Sequence, residues 1–135
     1  TTAGVPQTPQ YALAALLESA SSGDFRFLEE VRIYSLRAKK IKKIFIKHGF
    51  NLVYFEDMGQ PIGDGFYFTV TRPGMDEYNL LFEMLCHGMA GIPLSTTGSE
   101  KEGIRICVSL ICEKQMDELE KRLSLLNYHL LPNPA

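Results

Sequence analysis

The feature that most constrains this chain is one apolar stripe. Leu28, Val31, Tyr34, Ser35, Ala38, Ile41, Phe45 and His48 recur at steps of three and four residues. That spacing puts them on one face of an α-helix over 24–48. Asp24 is the expected N-cap, Glu29 and Glu30 lie near the favourable positive end, and Gly49 supplies the C-cap glycine. At 1.5 Å per residue such a helix spans about 36 Å. This is long for a small domain, and helices of this length often connect two domains.

What precedes and follows the long helix is ordered around it. Residues 1–10 hold two prolines and read as a linker or the end of something removed. The segment 11–20 is strongly helical by propensity, with apolar residues almost all round. A helix of that kind calls for burial on several sides, and in a chain this short its cover is expected from outside. Ser21, Ser22 and Gly23 stop it. The chain also begins at Thr1 without Met, as a fragment or processed product would.

After Gly49 the period changes. Strands are expected near 51–55, 66–70, 90–94 and 104–110, and helices over 76–87 and 113–126. The 56–65 stretch, with three glycines and Pro61, reads as a loop. Asp76 caps the first of these helices, with Leu80, Leu81, Met84 and Leu85 inward. Met116, Leu119, Leu123 and Leu126 form the stripe of the second. Pro93 marks 90–94 as an edge strand. Alternation puts Phe66 and Phe68 in the core, with Tyr67 facing the other way. On 104–110 it sets Arg105, Cys107 and Ser109 opposite the apolar positions. The tail from Leu130 frays at two prolines. The order predicts an α/β (α+β) fold: a two-layer sandwich whose small, mainly antiparallel sheet of about four strands is covered by helices. Residues 1–23 stand apart from a domain over 24–135.

Composition narrows the function classes. The chain has 135 residues, 45% of them hydrophobic, which supports a real core. A net charge of −2 does not favour nucleic acid. Arg37, Lys39, Lys40, Lys42 and Lys43 are the one basic cluster, read as the solvated face of the long helix. No apolar run approaches the roughly 18–20 residues that span a bilayer. Cys86, Cys107 and Cys112 are an odd number, and Cys107 and Cys112 suit no common zinc spacing. They read as small core residues of a reduced, cytoplasmic protein with no metal site. His48, His87 and His129 sit at or near helix ends.

The stretch from Gly88 through Leu110, with its loop Ser95-Thr96-Thr97-Gly98-Ser99 and its strand Gly103-Ile104-Arg105-Ile106, resembles the end of fold-type-I, class I/II pyridoxal-phosphate-dependent aminotransferases. The long helix before it is similar to the interdomain helix of that family. Gly65-Phe66-Tyr67-Phe68 is similar to its glycine-aromatic strand, and 10–20 to its last large-domain helix. The resemblance covers nearly all of the chain and identifies it as a C-terminal small domain.

That resemblance implies that Arg105 pairs with the α-carboxylate of an amino-acid or 2-oxo-acid substrate. A guanidinium offers two parallel N–H groups and a fixed charge for the purpose. Thr97 and Gly98 are further candidates for substrate binding. The family's Schiff-base lysine, pyridine-pairing aspartate and phosphate-binding residues have no matching motif here. Five lysines from Lys39 to Lys47 fall on the long helix. Pyridoxal 5'-phosphate is therefore implied for the full-length homodimeric enzyme. The missing large domain would supply the catalytic residues, and this chain by itself is expected to bind no cofactor and to be inactive.

Blander readings stand beside these. Arg105 on a half-exposed strand could pair with Glu100 or Glu102, and the 95–99 loop could be plain turn chemistry. The whole chain could be a free-standing α/β module that binds a small ligand or a partner protein.

Overall fold

The computed structural model describes residue 4 and residues 6–62 and 65–130. Residues 1–3 and 5 of the opening stretch and the 131–135 tail, with its expected fraying, lie outside the described residues, while 7–10, expected as linker, are already helical. The elements run α1 (Gln7–Ser22), α2 (Phe27–Lys47), β1 (Asn51–Val53), β2 (Glu56–Asp57), β3 (Gln60–Pro61), β4 (Tyr67–Thr71), α3 (Glu77–Cys86), β5 (Ile92–Pro93), a 3₁₀ turn over Leu94–Thr97, β6 (Ile104–Cys107) and α4 (Glu113–Leu130). Two compact units meet between Ile33 and Tyr34, within α2.

In the larger unit four strands pair antiparallel in the order β1-β4-β6-β5. This is the α+β architecture anticipated from the order of elements. The pleat sorts the side chains. Phe68, Val70, Ile104 and Ile106 are buried on one face. They join Ala38, Ile41 and Phe45 of α2, Leu80 and Met84 of α3, and Met116, Leu123 and Leu126 of α4 in a single cluster. The helices therefore cover one face of the sheet, and Arg105, Thr69 and Tyr67 point from the other. Pro93, which has no N–H to donate, sits in the edge strand β5.

The stripe on α2 is buried only along its second half. Ala38, Ile41, Phe45 and His48 are buried, whereas Leu28 and Val31 are 70% and 48% exposed. The buried half belongs to the larger unit. The basic cluster on this helix faces acids of α4 in part: Lys40 Nζ lies 2.6 Å from Glu113 Oε1, and Lys47 Nζ lies 2.5 Å from Glu120 Oε1. Exposed pairs of this kind add little stability.

The smaller unit holds α1 and the start of α2. α1 ends at Gly23, which takes the left-handed conformation (φ 86°) and donates to Ala20 O. No residue of α1 is buried.

Several local expectations are corrected. α2 starts at Phe27, so Asp24 is not its cap; the Asp24 carboxylate instead accepts from the Ser22 hydroxyl at 2.7 Å. Phe66 precedes the pleated strand and is 48% exposed, its ring edge-on to Tyr34 at 4.8 Å. Leu85 is exposed because the inward line of α3 runs from Leu80 to Met84, four residues apart. All three cysteines are free and exposed, since Cys107 takes the outward position of β6, and Cys86 and Cys112 lie at element boundaries. β6 ends at Cys107, and Ser109 lies in the turn that follows. The 56–65 loop contains the hairpin of β2 and β3.

Candidate functional site

Strand β6 carries Arg105 because its neighbours Ile104 and Ile106 are drawn to the core. Register then sets its company. Thr69 of β4 stands opposite Arg105 on one side and Ile92 of β5 on the other. Val53 stands opposite Thr69, whose hydroxyl donates to the Val53 carbonyl. Tyr67 sits diagonally, and its ring centroid lies 4.9 Å from the guanidinium carbon of Arg105.

This guanidinium is poorly matched by its own chain. Its Nε is buried and has no hydrogen-bond partner. Neither Glu100 nor Glu102 pairs with it, and no ion pair of Arg105 occurs among the described residues. The surface salt bridge that competes with a binding role is therefore not made.

A cleft of about 200 Å³ opens beside it, lined by Lys42, Tyr54, Phe55, Ile62, Tyr67, Phe68, Thr69 and Arg105. Phe55 and Ile62 flank the hairpin and are joined by Ile62 N–H donating to Phe55 O at 3.1 Å. Tyr54 takes the left-handed conformation (φ 55°), uncommon for a side chain of its size. Its hydroxyl meets Ser99 Oγ at 2.8 Å, and Lys101 Nζ lies 4.6 Å from its ring centroid.

Thr97 and Gly98 do not line this cleft. The Thr97 hydroxyl donates to Leu94 O at 2.7 Å, within its own 3₁₀ turn, and Gly98 (φ 78°) caps that turn. Of their loop, Ser99 is the residue tied to the cleft, through Tyr54.

Glu77 at the start of α3 secures the same loop from the other side. Its Oε2 accepts from Gly103 N–H at 3.2 Å and Ser95 N–H at 3.4 Å. Burial opposes the Glu77 charge, but hydrogen bonds from Ser95, Gly103 and Leu94 outweigh it and hold the carboxyl below its usual range. Glu77 thus fixes Gly103, the residue that leads into β6.

Cys107 shares the open face with Arg105. Hydrogen bonds from Ser109, chiefly through its hydroxyl at 3.2 Å, lower the thiol pKa, and the Arg105 charge adds to the effect against some burial. No group of three or more potential metal ligands gathers among the described residues. No helix among them is long and apolar enough to cross a membrane.

Tyr54, Phe55, Ile62 and Glu77 were not singled out by sequence reasoning as belonging to a site. Of the cleft's aromatic walls only Tyr67 carried a signal, its outward place in the alternation. The arrangement as a whole offers a fixed cation beside a small apolar cleft, suited to a carboxylate with an apolar body. No protein-family model matches the chain, and no curated protein matches it either.

Proposed function

We propose that this chain is the substrate-binding small domain of a pyridoxal-phosphate-dependent aminotransferase, and that Arg105 takes the α-carboxylate of the amino acid or 2-oxo acid. The observation that carries the reading is the Arg105 guanidinium on the open face of the sheet, backed by the Tyr67 ring and lining a cleft with no acid paired to it. A guanidinium that lines a cleft with no acid beside it suits a bidentate carboxylate. Tyr67 holds the guanidinium from one side, so Arg105 can orient a substrate on a rigid strand.

The described lining of this cleft is not a seat for the cofactor. The described residues lining the cleft include no carboxylate to pair with a pyridine nitrogen, and none belongs to the first turn of a helix that could hold a phosphate. In this reading those groups, and the lysine that carries the cofactor, belong to a large domain of a cytoplasmic homodimer. The exposed side chains of α1 favour the same view, since Tyr11, Leu13, Leu16 and Leu17 are all at least half exposed. A free-standing ligand-binding module would have no use for them.

The coding sequence upstream of Thr1 tests the proposal. It should extend roughly 250 residues, the size of a further large domain, and include a lysine in a Ser-x-x-Lys-like context. A frame that opens with Met directly before Thr1 would overturn it. In the whole enzyme, Arg105→Ala should lower kcat/KM by the equivalent of about 3 kcal/mol, as for the loss of one partner of a buried charge pair.

A further inference from the structure

The walls of the cleft go beyond a carboxylate. We infer that the site selects a substrate with an aromatic side chain, its ring held by Tyr54, Phe55 and Ile62 while its carboxylate meets Arg105. This rests on the reading of Arg105 given above.

Three observations converge. The first is the character of the walls: Tyr54, Phe55 and Ile62 are 44%, 54% and 45% exposed. Large apolar side chains left open together beside the cations Arg105 and Lys42 mark a ligand surface. Tyr67, equally open, is engaged with the guanidinium, and Tyr54 carries Lys101 against its ring, so Phe55 and Ile62 are the walls left wholly to a ligand and Tyr54 offers it a ring edge or its free face. The second is size. The cleft holds about 200 Å³. A cavity of about 150 Å³ accommodates a benzene ring, so the space suits a ring on a short chain and exceeds what a carboxylate and a methyl group need. The third is charge. No acidic residue occurs among the described lining residues, so a substrate with a cationic side chain finds no partner there.

The walls are also held in place. The backbone hydrogen bond between Ile62 and Phe55 fixes the spacing of the two residues that flank the hairpin. The Tyr54 side chain is tethered by Ser99 at its hydroxyl and by Lys101 over its ring. A ring entering the cleft meets a surface already formed, which limits the ordering cost of binding.

The test is a set of titrations of the chain, followed by NMR, with propionate, succinate and 3-phenylpropionate. The aromatic acid should bind at least about tenfold more tightly than propionate, the minimum expected for burying a ring in an apolar pocket. Phe55→Ala and Ile62→Ala, both at exposed positions, should bring that ratio towards unity, and Arg105→Gln should abolish binding of both acids. Equal affinity for propionate and 3-phenylpropionate, each dependent on Arg105, would overturn the selectivity and leave the carboxylate role standing. Tightest binding of succinate would overturn it in favour of a dicarboxylate reaching Lys42. Binding of the aromatic acid that survives Arg105→Gln would overturn the carboxylate role, and the inference with it. Absence of binding by any of the three would overturn both.

Discussion

Glu77 and His48 are the two buried polar or charged residues among the described residues, and both should make stability depend on pH. Glu77→Ala leaves the N–H groups of Gly103 and Ser95 without their acceptor, which should cost about 2–3 kcal/mol in urea unfolding. Burial lowers the His48 pKa from its ordinary value, with Glu120 opposing the effect and Lys47 and Arg72 adding to it. Its Nδ1 accepts from Asn127 Nδ2 at 3.1 Å, and Asn127 Oδ1 accepts from Arg72 at 2.7 Å. For both Glu77 and His48 the folded pKa is lowered, so the unfolded chain binds more protons and stability rises with pH. The His48 contribution is complete above its ordinary value of 6.5 and is lost as pH falls through its folded value. The Glu77 contribution behaves in the same way below 4.5. Urea midpoints measured from pH 8 to pH 4 should therefore begin to fall near pH 6.5, and His48→Gln should remove that first decline. A midpoint constant down to pH 5 in the unmodified chain would contradict this assignment.

At the scale of elements, the pairing of β5 with β6 depends on Gly91. A Cβ there would lie 2.2 Å from Ile104 Cγ2 and 3.2 Å from the Arg105 carbonyl oxygen. Gly91→Ala should force the two strands apart, cost about 2–3 kcal/mol and shift the Arg105 amide resonance. Unchanged stability would show that the edge strand yields freely. Gly103 answers to a related constraint: its φ is 151°, and a Cβ would come 2.8 Å from the Val70 carbonyl oxygen. The helices, the main strands and the edge position of β5 were legible from period and from Pro93. The hairpin was not. Its turn residues Met58 and Gly59 both have positive φ (47° and 75°), the form of a tight hairpin turn. Met58 stands where Asn or Asp would announce such a turn, so the usual signal is missing. The cap of α2 was misread for a related reason: Asp24 is a good cap by type, but Ser22 claims its carboxylate before the helix begins.

For the whole molecule, the unburied side chains of α1 carry a consequence in solution. Tyr11, Leu13, Leu16 and Leu17 are 74%, 57%, 50% and 60% exposed. The chain alone should therefore associate as its concentration rises, and Leu13→Glu with Leu17→Glu should return it to a monomer by sedimentation velocity. A wild-type chain that stays monomeric at high concentration would remove the reason to seek a cover for this helix. The sequence by itself determined where the four helices and the strands of the main sheet lie, that this sheet is mainly antiparallel, and that Arg105 and Tyr67 turn away from the core. Those properties follow from backbone period and apolar burial, which are readable from neighbours in the chain. Only the tertiary structure decided that Arg105 lacks an acid, that Tyr67 lies against it, and that Tyr54, Phe55 and Ile62 wall the same cleft. Their meeting depends on the register of β4 with β6 and on a hairpin without a sequence signal, and register is set by contacts between residues far apart in the chain.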